Sequence, residues 1–88
     1  MYLDRYSEEI TRKLSKIKKR ELQQYERIGK KIKEILENPN HEYKNLRYDM
    51  SEFKRVHIGH FVLIFRIDHK NKLILFDDYD HHDKIYLK

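Results

Sequence analysis

The sequence predicts an α+β domain in which an N-terminal helical hairpin packs on a small antiparallel β-sheet, in the order β-α-α-β-β-β. Three observations carry that reading. Apolar residues recur at helical spacing across residues 10–36. A glycine-centred hairpin lies within residues 53–67. A further apolar run, Leu73-Ile74-Leu75-Phe76, follows the polar turn Asp68-His69-Lys70-Asn71-Lys72. At 88 residues the chain makes one domain, 1–88. A domain of that size buries roughly 60–65% of its unfolded surface, so its core is thin.

The elements follow in order. Tyr2-Leu3-Asp4 suits a short first strand. Ser7 is a plausible N-cap, and Glu8 and Glu9 stand where a helix dipole favours negative charge. Ile10, Leu14 and Ile17 share one helix face. A break is expected near Lys18-Lys19-Arg20. Leu22, Tyr25, Ile28, Ile32, Ile35 and Leu36 then mark a second amphipathic helix, which Asn38-Pro39-Asn40 ends. Residues 41–52 show little pattern and read as a loop.

The hairpin turns at Gly59-His60. Glycine at the first central position suits a two-residue type II′ turn, which needs φ > 0 there. This register sets Ile58 opposite Phe61, His57 opposite Val62, Val56 opposite Leu63 and Arg55 opposite Ile64. Alternation then puts Val56, Ile58, Phe61, Leu63 and Phe65 on a core face. Arg55, His57, Val62, Ile64 and Arg66 share the other face, which is expected to stay open. The strand 61–67 is apolar on nearly both faces, which suggests a central position in the sheet.

Composition narrows the function. There is no cysteine, so disulfides and thiolate zinc sites are excluded. No apolar run approaches a membrane span, and Met1-Tyr2-Leu3-Asp4-Arg5 does not open a signal peptide, so the expected location is the cytoplasm, with no membrane partner. The net charge is +5 and unevenly placed. Residues 12–33 hold ten Lys/Arg against two Glu, whereas residues 77–83 hold four Asp and no Lys or Arg. A basic helical half attracts polyanions or an acidic partner, although a solvated helix face has the same composition.

Several short motifs occur in a telling order: Glu37-Asn38-Pro39, then Asn45-Leu46-Arg47, the hairpin, and finally His81-His82-Asp83-Lys84-Ile85-Tyr86. With them the chain resembles the RelE/ParE superfamily of bacterial and archaeal toxins, most closely the RelE-type mRNA interferases. Arg55, His57, Gly59, Phe61 and Phe65 match that family's hairpin pattern, but Val62 stands where the family often has Arg. His81 and Tyr86 match its ending, but His82 replaces an Arg. Both departures remove a fixed positive charge. The resemblance implies a RelE-like fold and the toxin of a type II toxin–antitoxin system. The implied activity is ribosome-dependent endoribonuclease cleavage of mRNA in the A site, by 2′-OH attack, without cofactor or metal. The implied partners are the ribosome, mRNA and a cognate RelB-like antitoxin in a toxin–antitoxin hetero-oligomer. A ParE-like, protein-binding inhibitor of gyrase and a catalytically weak family member are the alternatives, because one fold hosts them all.

Cleavage by the substrate's own 2′-OH needs in-line alignment, proton removal, stabilisation of phosphate charge and protonation of the leaving oxygen. The candidate catalytic residues are Arg55, His57, His81, His82 and Tyr86. Arg55 offers a planar fork for phosphate oxygens. His57 and His82 are both candidate general acids or bases. By resemblance, Tyr86 stacks on a base or donates a hydrogen bond near the phosphate. Arg47, Lys54 and Arg66 are candidate RNA-binding residues, although Lys54 falls on the opposite face in this register. Each has a plainer reading. Tyr86 can pack the C-terminal segment, His57 can be a cross-strand neighbour of Val62, and Arg55 and Arg66 can be solvated. The run 77–83 also offers carboxylates and imidazoles to a metal, but adjacent strand residues diverge and the spacing matches no established motif.

Overall fold

The computed structural model describes residues 1–47 and 50–86. Its elements are β1 (Leu3–Tyr6), α1 (Glu8–Arg20), α2 (Leu22–Glu37), β2 (Lys44–Arg47), β3 (Met50–Ile58), β4 (Phe61–Asp68), β5 (Leu73–His81) and α3 (His82–Tyr86). The strands form one sheet in the order β1-β5-β4-β3-β2. The α+β class holds, but the sheet is mixed rather than wholly antiparallel, because β1 runs parallel to β5. The helical pair between β1 and the rest of the chain provides the long crossover that a parallel pairing requires.

Local chemistry explains the helices. The Ser7 hydroxyl accepts the Ile10 N–H at 3.0 Å and donates to the Asp77 carbonyl at 2.6 Å, which caps α1 and fastens it to β5. Glu8 and Glu9 open α1, and Lys18, Lys19 and Arg20 close it, each sign at the end that its dipole favours. The chain breaks at Glu21, one residue beyond the expected site, where φ is −140° and ψ is 76°. Asn38 ends α2, its side-chain amide donating to the Glu34 carbonyl at 2.8 Å.

The main core lies between the helices and the sheet. Ile10, Ile28, Ile32, Ile35 and Leu36 meet Leu63, Phe65, Ile74, Phe76 and Tyr79 there. Leu22, expected on that face, is instead exposed at the start of α2. The hairpin has the register that the sequence predicts, from Arg55 opposite Ile64 to Ile58 opposite Phe61. Gly59 sits at φ +62°, a conformation that costs a side-chain-bearing residue energy. β4 is the middle strand, and Val62, Leu63, Ile64 and Phe65 are all buried.

Three differences from expectation matter. The loop 41–52 contains β2 and the start of β3, while Tyr48 and Asp49 lie outside the described residues. β5 continues past Phe76 to His81. The face expected to be open is partly covered: α3 crosses it, and Ile85 packs on Val62 and Ile64 with Leu46, Phe53 and Tyr86 around them.

The acidic strand end is neutralised from the helices. Lys13 Nζ reaches Asp78 at 2.7 Å and Asp80 at 3.1 Å, with Glu9 at 3.6 Å. Burial alone pushes the Asp80 carboxyl up, but the His81 backbone N–H and the Lys13 ammonium hold it below its usual value. Its folded pKa is therefore lower than its unfolded one, so its stabilising contribution is complete above the ordinary carboxylate range and is lost as pH falls through the folded value. Lys13→Met should lower stability at neutral pH by roughly 1–2 kcal/mol, since hydrogen bonds to charged groups are worth roughly 1.5–3 kcal/mol before solvent screening. That corresponds to a drop of roughly 5–15 °C in melting temperature for a domain of this size. The gap between variant and wild type should narrow in acid. Equal thermal melts at pH 7 would show that the bridge contributes nothing.

Candidate functional site

The sheet face opposite the helical hairpin gathers side chains from β3, β2 and α3. Alternation along β3 sets Arg55 and His57 on this face, and Lys44 of β2 pairs with Arg55 across the ladder. On α3, His82 and Tyr86 are four residues apart and so share one side of the helix. The two sources meet. The Arg55 guanidinium lies 5.9 Å from the centre of the Tyr86 ring, within the range of a cation–π contact. The Tyr86 and His82 rings are 4.8 Å apart, and the His82 and His57 rings 5.9 Å apart. Arg55, Tyr86, His82 and His57 thus form a continuous row.

Arg55 and His82 are held from behind. Arg55 Nε donates to the Asn45 carbonyl at 3.0 Å. The His82 backbone N–H donates to the His60 carbonyl at 2.8 Å, which ties the start of α3 to the hairpin turn. His82 Nδ1 lies 3.3 Å from an Asp83 carboxylate oxygen. Five residues are too few for an independent helix, so α3 depends on this bond and on Ile85, which is 3% exposed. Burying such a side chain is worth roughly 1.5–3 kcal/mol.

Electrostatics distinguish the cations. Partial burial lowers the pKa of His57, and Arg55, His82 and Lys44 push it down further. His57 is therefore mostly neutral at pH 7 and can accept a proton. Among the described residues no carboxylate forms an ion pair with Arg55, which leaves its charge available to an anion. Arg66 differs: both ends of its fork bind Asp77, at 2.9 and 2.8 Å, and its guanidinium lies over Phe53 at 5.2 Å.

Of the candidate catalytic residues, the fold brings four together and sets one aside. His81 faces the other way, edge-on to Phe61 and beside His60. Of the candidate RNA-binding residues, Arg47 lies near the row, its guanidinium 3.5 Å from the Ile85 carbonyl. Lys54 shares its face with Phe65, as its register requires, and donates to the Asn45 side chain at 2.6 Å. Sequence reasoning missed Lys44, Asn45 and Asp83. The first two lie in the short β2, where the lone apolar Leu46 was too little alternation to read.

Val62 is a correction. It was expected to stand open beside Arg55, where an arginine would restore a family charge. It is instead fully buried, in one cluster with Ile85. Val62→Arg should therefore cost roughly 2–4 kcal/mol or undock α3, because an unpaired charge in an apolar site is heavily penalised. Denaturant melts check this; wild-type stability in the variant would mean that Ile85 does not seal Val62.

Comparison with known proteins agrees with this architecture. A family model described as "ParE toxin of type II toxin-antitoxin system, parDE" matches residues 5–86. A protein of Methanocaldococcus jannaschii, provisionally named toxin RelE4, is 51% identical over 76 residues, which cover 85% of this chain and 80% of that one. An uncharacterized protein of Methanosarcina mazei is 49% identical over 87 residues, covering 98% and 100%. Among solved structures, a chain of the intact E. coli RelBE toxin–antitoxin complex superposes with a TM-score of 0.77 at 17% identity, over 92% of this chain and 96% of that one.

Proposed function

The chain belongs to the ParE toxin family of type II toxin–antitoxin systems, within the RelE/ParE superfamily, and on that premise we propose that it cleaves mRNA in the ribosomal A site. The observation that carries this reading is the row Arg55–Tyr86–His82–His57 on one sheet face. Apart from in-line alignment, it supplies the functions that transesterification by an RNA 2′-OH requires. Arg55 meets the phosphate oxygens and stabilises the charge that grows on them. His57, neutral at pH 7, takes the 2′-OH proton. His82, with Asp83 beside it, donates a proton to the leaving 5′-oxygen. Tyr86 holds the Arg55 plane and offers a ring face to a base. The products are a 2′,3′-cyclic phosphate and a free 5′-OH. The nucleophile belongs to the substrate, so the scheme requires no metal-activated water. The ribosome aligns the 2′-OH with the phosphate, which leaves free RNA a poor substrate. Such a toxin acts in the cytoplasm, and its natural partner is an antitoxin, as in the RelBE complex that shares its fold.

The matching family model is described by the ParE toxin, and this favours a second reading as a protein-binding inhibitor of gyrase. Mapping mRNA 5′ ends after adding the purified chain to translating ribosomes separates the two. New ends within codons support cleavage; blocked supercoiling with intact mRNA supports the second reading. Arg55→Ala should reduce cleavage by roughly a hundredfold, the usual effect of removing one group that stabilises transition-state charge. The acid limb of the rate should lie below pH 6.5, because the lowered pKa keeps His57 unprotonated to more acidic pH, and His57→Ala should flatten that limb. Full activity in Arg55→Ala together with an unchanged pH profile in His57→Ala would place the site elsewhere.

A further inference from the structure

The hairpin tip carries a group of side chains that the cleavage scheme does not use. Four of the six histidines of the chain, His57, His60, His81 and His82, line a cleft of about 510 Å³ with Gly59 and Asp83. His57 and His82 are shared with the row described above, while His60 and His81 form the far wall. The His60 and His81 rings are near-parallel, at 22°, with centres 6.3 Å apart. His81 is braced edge-on by Phe61, whose ring lies flat on Tyr79 at 5.1 Å, and the Tyr79 hydroxyl accepts from Gln24 at 2.8 Å. The wall therefore rests on the core. Gly59 leaves the surface beside it bare, and an Arg27 Nη atom is 3.8 Å from where a Cβ would stand.

We propose that this cleft is a subsite for the nucleotide next to the scissile phosphate, with its base stacked on His60 and His81 and its phosphate near Arg27. The proposal rests on the cleavage reading only for which phosphate is scissile. Flat rings are what single-stranded RNA recognition uses, because every base has a π-face and unstacked bases seek a partner. Imidazole supplies such a face without a fixed charge. Continuity with the row through His57 and His82 sets the cleft one step along the strand from Arg55. His60 is the informative residue, since α3 is held by its backbone carbonyl rather than its ring.

The test uses the full chain and a trinucleotide with 2′-O-methyl groups, which binds but offers no nucleophile. Imidazole resonances are followed by NMR, and affinities by titration. His60 and His81 should shift on binding, and an otherwise identical trinucleotide with one abasic position should lose those shifts. His60→Ala should weaken binding of the intact trinucleotide at least fivefold, the low end of the loss expected for one stacked base, and change abasic binding far less. His60→Tyr should retain affinity. Equal shifts with the abasic ligand, an unchanged affinity in His60→Ala, or no binding at millimolar trinucleotide would each overturn the subsite. No ribosome and no turnover enter this measurement. A chain that binds here yet leaves ribosomal mRNA intact refutes the cleavage reading alone, and one that cleaves mRNA with no response at His60 refutes the subsite alone.

Discussion

A strand that is apolar on both faces must be covered on both, and β4 imposes that requirement on this chain. Leu63 and Phe65 are sealed by the helical hairpin, Val62 and Ile64 by Ile85 of α3. The second seal is small, yet the candidate site depends on it. A five-residue helix does not persist in water, so α3 exists because Ile85 has an apolar seat and the His82 N–H has the His60 carbonyl. Once α3 is docked, helical spacing delivers His82 and Tyr86 to Arg55 and His57. The packing of one isoleucine thus assembles a polar row from segments about 30 residues apart in sequence.

Charge follows the same economy. The acidic run on β5 looks from composition like a metal site or a solvated end. Three of its aspartates instead serve as internal ties: Asp77 to Arg66, and Asp78 and Asp80 to Lys13. The cations that meet these carboxylates are neutralised, whereas Arg55 lies beside the Tyr86 ring and, among the described residues, ion-pairs with no carboxylate. The distinction matters for an anionic ligand, since a guanidinium already held by both carboxylate oxygens has little left to offer a phosphate. Arg66 and Arg55 share a sheet face and look equivalent in sequence. Their different partners arise from the bulge between Ile64 and Phe65 in the β4–β5 pairing, where Asp77 has no cross-strand partner.

Much of the fold was legible because it depends on local rules. The Gly59 turn and strict alternation set the β3–β4 register, and the observed pairing agrees residue for residue. The helix spans and the break between them follow from apolar spacing and from Pro39. Arg55 and His57 were placed on one face by that register alone. Tyr86 was named by resemblance to a family and His82 for its acid–base chemistry where it departs from that family, and helical spacing on α3 is what makes them neighbours. His81 shows the limit. It precedes His82 directly, but one ends a strand and the other starts a helix, so His81 meets Phe61 and His60 while His82 meets His57 and Tyr86, and no local rule decides where strand gives way to helix.

The sequence by itself determined the α+β class, the two helices, the hairpin register and the identity of the polar residues on its outer face, because turn chemistry and side-chain periodicity act over a few residues. The tertiary structure alone decided that β1 joins β5 in parallel, that β2 forms at the far edge and that α3 closes over Val62. Those choices are made by pairing and burial between distant segments, whose free energy appears only when the segments meet. The same physics turned an expected open basic face into a bounded row of Arg55, Tyr86, His82 and His57 beside a histidine-lined cleft.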